Sequence, residues 1–175
     1  NTRHVTRAVA DDLARRGFSV LALHGELDQR ERDEMLVRFA NRSASVLVAT
    51  DVAARGLDIV DLPMVVNYDL ASDADIHLHR IGRTGRAGAK GVALSLCTPK
   101  EAPRANAIEA QQGAPLHWGK LSSAGAKVKP LVAAFTTLAI DGGRQDKVRP
   151  GDILGALTGT AGLAADAVGK IDVFP

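Results

Sequence analysis

The chain has 175 residues, of which 46% are hydrophobic and 24% charged, with a formal net charge of +2 that indicates no particular partner. This composition excludes global disorder, and no window approaches the roughly 18 apolar residues of a membrane span. A single cysteine, Cys97, excludes a disulfide scaffold and is typical of a reducing compartment.

Helical and strand-like patterns alternate along the first two thirds of the sequence. The helices repeat apolar residues every three to four positions, and the strands are short apolar runs. Asp28 and Glu31 add the spacing of a helix capping box. In chain order we predict helix 3–16, strand 18–23, helix 28–39, strand 46–49, strand 64–68, helix 73–81, strand 91–97 and helix 99–112.

This alternation predicts an α/β fold with a mostly parallel sheet flanked by helices. In such folds the functional groups lie in loops beyond the carboxyl ends of the strands. The unusual clusters of this sequence fall there: His24-Gly25, Thr50-Asp51 and the loop before residue 91.

The composition changes after residue 112. Residues 113–133 are rich in Gly, Ser and Pro and read as a connector. Beyond it we predict a strand over 135–140, a helix beginning at Pro150 and a strand over 168–174. Such a unit of about forty residues buries no core by itself. We therefore expect it to be the front half of a small α+β domain, and both ends of the chain to be cut.

The sharpest cluster is an arginine- and glycine-rich segment. Arg80, Arg83 and Arg86 recur every three residues, and no acid falls between positions 76 and 100. Guanidinium groups suit bidentate contact with phosphate oxygens, and glycines let a backbone approach a ligand closely. A solvated basic loop is the alternative interpretation.

A second cluster directly follows the strand predicted at 46–49. Thr50 offers a hydroxyl to a phosphate or ribose, and Asp58 a carboxylate to a sugar hydroxyl. In the alternative interpretation, Asp51 caps a helix and Asp58 pairs with Arg55.

The third cluster, 29–32, opens a helix just after His24-Gly25. A helix N-terminus with an arginine is a reasonable phosphate site. The alternative is ordinary surface pairing, such as Arg30 with Glu34.

Together these segments resemble the second RecA-like lobe of a DEAD-box RNA helicase, over about residues 1–118. The matching segments are NTRH (1–4), HGELDQRER (24–32), ATDVAARGLDI (49–59), VVNYD (65–69) and HRIGRTGRAG (79–88). The resemblance implies a RecA-like parallel sheet in an ATP-dependent RNA helicase. It also implies ATP with Mg²⁺ as cofactor, the Mg²⁺ ligands lying on a first RecA-like lobe of the same parent chain.

The resemblance also implies roles for individual residues. Arg83 and Arg86 would be arginine fingers on the γ-phosphate, and Asp58 would hold the ATP ribose. The RNA backbone would contact Thr2, Gly25, Arg32 and Thr50, on a surface ordered by Gln29. The two lobes would be coupled by Arg55, His79 and Arg80. Contacts to the sugar–phosphate backbone carry no sequence information, so this lobe should bind RNA without sequence specificity.

The tail carries a second resemblance. Its segments KVRPGDILGALTGTAGL (147–163) and VGKIDVF (168–174) resemble the start of the RRM-like RNA-binding domain of the DbpA branch. This implies recognition of large-subunit ribosomal RNA, a role in ribosome assembly and a cytoplasmic location. Lys147, Arg149 and Lys170 are candidate RNA contacts, with surface solvation as the alternative.

We accordingly expect a helicase lobe truncated at its N-terminal edge over 1–120, a linker over 121–133, and the first half of the RNA-binding domain over 134–175. The chain has no G-x-x-x-x-G-K-[ST] loop and no DEAD box. We therefore expect it not to hydrolyse ATP by itself. A non-catalytic RNA-binding or assembly module and a DNA-acting helicase are the alternative functions. No metal site is predicted, because the His77–His79 pair has no second ligand pair. No membrane partner is predicted, because no apolar run is long enough to span one.

Overall fold

The computed structural model describes residues 3–54, 59, 62–85, 88, 90–121 and 129–173. They belong to two compact units. The N-terminal unit lies within Thr2–Ala54 and Lys129–Pro175, and the central unit within Arg55–Val128.

The N-terminal unit contains a parallel pair of strands and the helices that pack on it. Residues 20–23 pair in register with 46–49, so that the two strands begin together and end together. Leu23 is fully buried at the centre. The elements are helix α1 (Arg3–Arg15), strand β1 (Val20–Leu23), helix α2 (Gln29–Ala40), strand β2 (Val46–Ala49) and the short helix α3 (Asp51–Ala54).

Local sequence signals explain where the helices of this unit begin and end. Gly17 follows α1 with a φ of +89°, a conformation that favours glycine. At the start of α2, the Asp28 carboxylate accepts from the Glu31 amide at 2.8 Å, and the Glu31 carboxylate accepts from the Asp28 amide at 2.9 Å. The predicted capping box is thus confirmed.

The central unit repeats this architecture. Its strands are parallel and pair from Met64 with Val92 to Asn67 with Ser95. Its core comprises Leu70, Ala74, Ala105 and Ile108, with Cys97 partly buried against it. The elements are strand β3 (Met64–Asn67), helix α4 (Ala74–Ile81), strand β4 (Val92–Ser95) and helix α5 (Ala102–Gln112). Together the two units confirm the predicted α/β class with parallel strands flanked by helices.

The tail differs from its prediction. Helix α6 (Pro150–Gly155) begins at the expected proline. The strands predicted at 135–140 and 168–174 are wrong for the residues that can be described, because 129–173 contain no strand. A strand needs a neighbour to satisfy its backbone groups. Residues 135–140 instead make scattered contacts, such as the hydrogen bond from the Phe135 amide to the Arg42 carbonyl at 3.4 Å and the contact between the Thr137 and Ser43 hydroxyls. The RRM-like half-domain expected here is therefore not formed as a strand–helix–strand unit.

Within the described ranges, none of the helices has the length and apolar content needed to cross a membrane.

Candidate functional site

The carboxyl end of the β1–β2 sheet brings two predicted site residues to one place. Because the strands are parallel and in register, the residues that follow them emerge side by side. The Thr50 amide donates to the Leu23 carbonyl at 3.2 Å, which ties the two loops together. Gly25 follows β1 and Thr50 follows β2, so both residues lie at this end of the sheet.

Thr50 also starts the short helix α3. Its buried hydroxyl accepts a hydrogen bond from the Ala53 amide at 3.3 Å. The alternative interpretation of the sequence assigned a capping role to Asp51, whereas in the structure the Thr50 hydroxyl accepts from the first turn of the helix. The hydroxyl still has a hydrogen of its own to donate.

Helix α1 contacts the same end of the sheet. Arg7 Nε donates to His24 Nε2 at 3.0 Å, and Arg7 also pairs with Glu26 at 3.5 Å. Arg3 forms a second ion pair with Glu26. These contacts hold the loop that contains Gly25 against α1. These contacts were not predicted from the sequence, although Arg3 and Arg7 lie at the spacing that places both on one helix face.

His24 is the buried member of this group. Only 5% of the residue is exposed, and its Nδ1 has no hydrogen-bond partner among the described residues. Because Nε2 accepts from Arg7, a neutral His24 ring carries its hydrogen on Nδ1.

The first turn of α2 presents the third predicted cluster. Gln29 Nε2 donates to Asp33 Oδ1 at 2.7 Å, which orders the exposed start of the helix. Arg32 lies one turn further along and is half-buried. Glu34 pairs with Arg38 at 3.9 Å.

The central unit holds Arg80 through a buried amide. Arg80 Nη1 donates to Asn67 Oδ1 at 3.2 Å and to the Asp69 carbonyl at 2.8 Å. Asn67 is only 2% exposed, and its Nδ2 donates to Ser95 Oγ at 3.0 Å. One side chain therefore joins β3, β4 and α4. Asn67 lies in the segment VVNYD (65–69), but no role was predicted for it from the sequence.

Arg83 lies on the segment that leaves α4. The Leu62 amide donates to the Arg83 carbonyl at 3.0 Å, and Thr84 pairs with Leu62 through an isolated β-bridge and a hydroxyl hydrogen bond. Gly85 then adopts a φ of +68°. The backbone at Arg83 is thus fixed on one side by α4 and on the other by Leu62.

The two histidines of α4 have different surroundings. His79 is exposed, whereas His77 is only 5% exposed. Burial, and secondarily the neighbouring Arg80 guanidinium, lowers the pKa of His77 below its ordinary value. His77 is therefore held neutral beside a permanently charged side chain.

The candidate RNA contacts of the tail are exposed. Arg149 precedes α6, where its amide donates to the Asp152 carboxylate at 3.1 Å. Lys170 pairs with Asp172 at 3.0 Å, and Lys147 has a φ of +62°. An open cavity of about 620 Å³ lies in this part of the chain and is lined by Arg144, Val148, Arg149, Pro150, Ile171, Asp172 and Val173.

Four predicted site residues, Thr2, Arg55, Asp58 and Arg86, lie outside the described residues. In the part of the chain that can be described, no group of three or more His, Cys, Asp or Glu side chains is arranged to hold a metal ion.

Two protein-family models match the chain. The helicase conserved C-terminal domain matches residues 1–88, and the DbpA RNA binding domain matches residues 137–175. The ATP-dependent RNA helicase DbpA of Escherichia coli (strain K12) is 55% identical over 175 residues. The match covers 100% of this chain and 38% of that protein, so the chain spans well under half of its relative's length.

Solved structures agree with the family models. The DEAD-box protein SrmB of E. coli, bound to regulator of ribonuclease activity A, has 39% identity and a TM-score of 0.63, covering 66% of this chain and 68% of that chain. A DEAD box protein from the hyperthermophile Methanococcus jannaschii has 38% identity and a TM-score of 0.62, covering 66% of this chain and 32% of that chain. With the helicase family model matching just over half of its residues, the chain belongs to the helicase conserved C-terminal domain family, and its relatives and structural neighbours are DEAD-box proteins, DbpA among them.

Proposed function

We propose that this chain is the arginine-finger lobe of an ATP-dependent RNA helicase that locally separates or remodels RNA. The observation that carries the proposal is the fixed backbone of Arg83, held between α4 and Leu62. A guanidinium on such a segment can stabilise charge that develops on a phosphoryl group without first being ordered. ATP is the substrate, and Mg²⁺ would be held by residues of the first lobe.

In this proposal Arg83 and Arg86 face the γ-phosphate, and Asp58 holds the ribose. The carboxyl end of the β1–β2 sheet takes the RNA backbone, with Thr50 donating its hydroxyl hydrogen and Gly25 allowing close approach. The group formed by Arg3, Arg7, His24 and Glu26 supports that proposal, because it ties the Gly25 loop to α1. His79, Arg80 and Arg55 would couple the lobes.

The finer assignments extend the same proposal. The helicase lobe would occupy residues 1–120, followed by a linker and the start of an RNA-binding domain from residue 134. Lys147, Arg149 and Lys170 would contact RNA, which we propose to be large-subunit ribosomal RNA. The biological role would then be ribosome assembly in the cytoplasm. The match of residues 137–175 to the DbpA RNA binding domain supports RNA binding by this part of the chain.

The test is RNA-stimulated ATP turnover and strand separation by the full-length protein that contains this chain. We expect both activities, and we expect no ATP turnover from the 175 residues alone, since they contain no phosphate-cradling loop. Turnover that RNA fails to stimulate, or robust turnover by the chain alone, would contradict the proposal. Matched RNA and DNA oligonucleotides at one stated salt concentration would separate an RNA helicase from a DNA-acting one.

A further inference from the structure

Residues 130–137, which we name the strap, lie against the amino end of the β1–β2 sheet. The Ser19 amide donates to the Leu131 carbonyl at 3.1 Å, and the Ala133 amide donates to Ser19 Oγ at 2.9 Å. Ser45 Oγ donates to the same Leu131 carbonyl at 2.7 Å. The residues that precede β1 and β2 thus bind the strap together.

Two further contacts continue along the strap. Ser43 Oγ lies 2.5 Å from Thr137 Oγ1, and the Phe135 amide donates to the Arg42 carbonyl at 3.4 Å. Where the strap begins, Pro130 packs on Gly17: a Cβ added to Gly17 would lie 3.2 Å from Pro130 Cγ. The docking surface therefore consists of small side chains and main-chain groups, which let an extended segment approach closely.

The strap lies at the opposite end of the sheet from the candidate RNA contacts. Ser19 and Ser45 immediately precede β1 and β2, whereas Gly25 and Thr50 follow them. Strands of this length span about 13 Å at the usual rise per residue. The segment after the strap therefore begins about that distance from the candidate RNA contacts.

We propose that the strap, which includes the first residues of the proposed RNA-binding domain, stays docked in the working protein and fixes the start of that domain at the amino end of the β1–β2 sheet. The strap is a defined part of the same chain, and hydrogen bonds between specific groups hold it along its length. The residues after the strap are therefore attached to the N-terminal unit at a defined position, and not through a flexible linker.

A disulfide between the strap and the sheet tests the proposal. The full-length protein is first freed of its other cysteines, which includes the substitution Cys97→Ser. The substitutions Ser43→Cys and Thr137→Cys then place two thiols where the two hydroxyls lie 2.5 Å apart. Arg30→Cys with Thr137→Cys is the matched control, because Arg30 is exposed at the start of α2. We expect mild oxidation to link the first pair at least about tenfold faster, since docking raises the effective thiol concentration. Equal rates would overturn the proposal.

Activity of the linked protein tests whether docking persists. We expect RNA-stimulated ATP turnover to be unchanged by oxidation and by later reduction. Turnover that falls on oxidation and returns on reduction would show that the strap must detach, and would overturn the proposal. If the protein had no turnover at all, the proposed function would fail, but the linking rate would still decide whether the strap is docked.

Hydrogen exchange leaves every contact in place and gives an independent readout. We expect the amides of Ser19 and Ala133 to exchange at least about tenfold more slowly than unbonded amides, because both are hydrogen-bonded across the interface. Exchange of both amides at the unprotected rate would overturn the docking.

Discussion

Arg80 Nη1 donates to Asn67 Oδ1 at 3.2 Å, and this contact joins the helix that leads to Arg83 to the end of β3. Asn67 uses its other amide atom as well, through the 3.0 Å bond to Ser95. A buried amide whose donor and acceptor are both used fixes the relative positions of the groups that it joins. The position of the arginine segment therefore depends on a residue that need not touch nucleotide or RNA.

Replacing Asn67 by leucine should remove the hydrogen bonds that join β3 to Arg80 of α4 and to Ser95 of β4. Asn67→Leu leaves the Ser95 hydroxyl and one Arg80 donor without their partner, so the free energy of unfolding should fall by about 1–3 kcal/mol. ATP turnover by the full-length protein should fall by up to about 100-fold if the Arg83 segment moves. Urea unfolding and steady-state kinetics measure the two effects.

The control for this experiment is Asn67→Asp. The carboxylate still accepts from Arg80 and can accept from the Ser95 hydroxyl, so turnover should recover much of the wild-type value. If the leucine and aspartate variants lost turnover equally, the contact with Arg80 would not be what positions the segment.

Helices α2 and α4 each begin with an aspartate N-cap, which allows a matched pair of substitutions. Asp28 accepts from the Glu31 amide and Asp73 from the Ile76 amide, both at 2.8 Å. Asp28→Ala and Asp73→Ala should each lower the free energy of unfolding by about 1 kcal/mol. Asp28→Ala should also weaken RNA binding, because α2 carries Gln29 and Arg32. Asp73→Ala should instead lower ATP turnover, because Asp73 caps α4, the helix that leads to Arg83. The same loss of RNA affinity in both variants would contradict this division of roles.

The stability of the chain should depend on the ionisation of His77. Burial and Arg80 lower its pKa in the folded state, so below the ordinary value of 6.5 the unfolded chain binds a proton more readily than the folded one. The contribution of His77 is therefore complete above that value and is lost as the pH falls toward the lowered pKa. The free energy of unfolding should decrease between about pH 7.5 and pH 5.5.

His77→Phe keeps a buried ring and removes the titration. Urea unfolding across the same pH range should then show a shallower decrease than the wild type. An identical slope in both proteins would mean that His77 does not contribute to the pH dependence.

Sequence patterns predicted the parts of this chain that depend on local signals. The α2 cap needs only Asp28 and Glu31, three residues apart, and the strands needed only short apolar runs. The placement of Gly25 and Thr50 at the same end of the sheet followed from a general property of parallel strands. The strand predicted at 135–140 was wrong because pairing depends on a neighbour, and local pattern carries no information about that neighbour.

The features that the sequence missed depend on contacts between distant residues. Asn67 meets Arg80 and Ser95, which are 13 and 28 residues away along the chain. The strap joins Ser43 to Thr137 across 94 residues. An asparagine in a strand or a serine before one gives no sign of such partners, since both are also ordinary surface residues.

The most direct test of the account is ATP turnover by the full-length protein with Arg83→Ala, at saturating RNA. The control is Arg104→Ala, which removes an exposed arginine of α5 that pairs with Glu101 at 3.8 Å. We predict that kcat falls by about 10³- to 10⁵-fold for Arg83→Ala with RNA affinity unchanged, as expected of an arginine finger, while Arg104→Ala turns over ATP like the wild type. Undiminished turnover by Arg83→Ala would contradict the account.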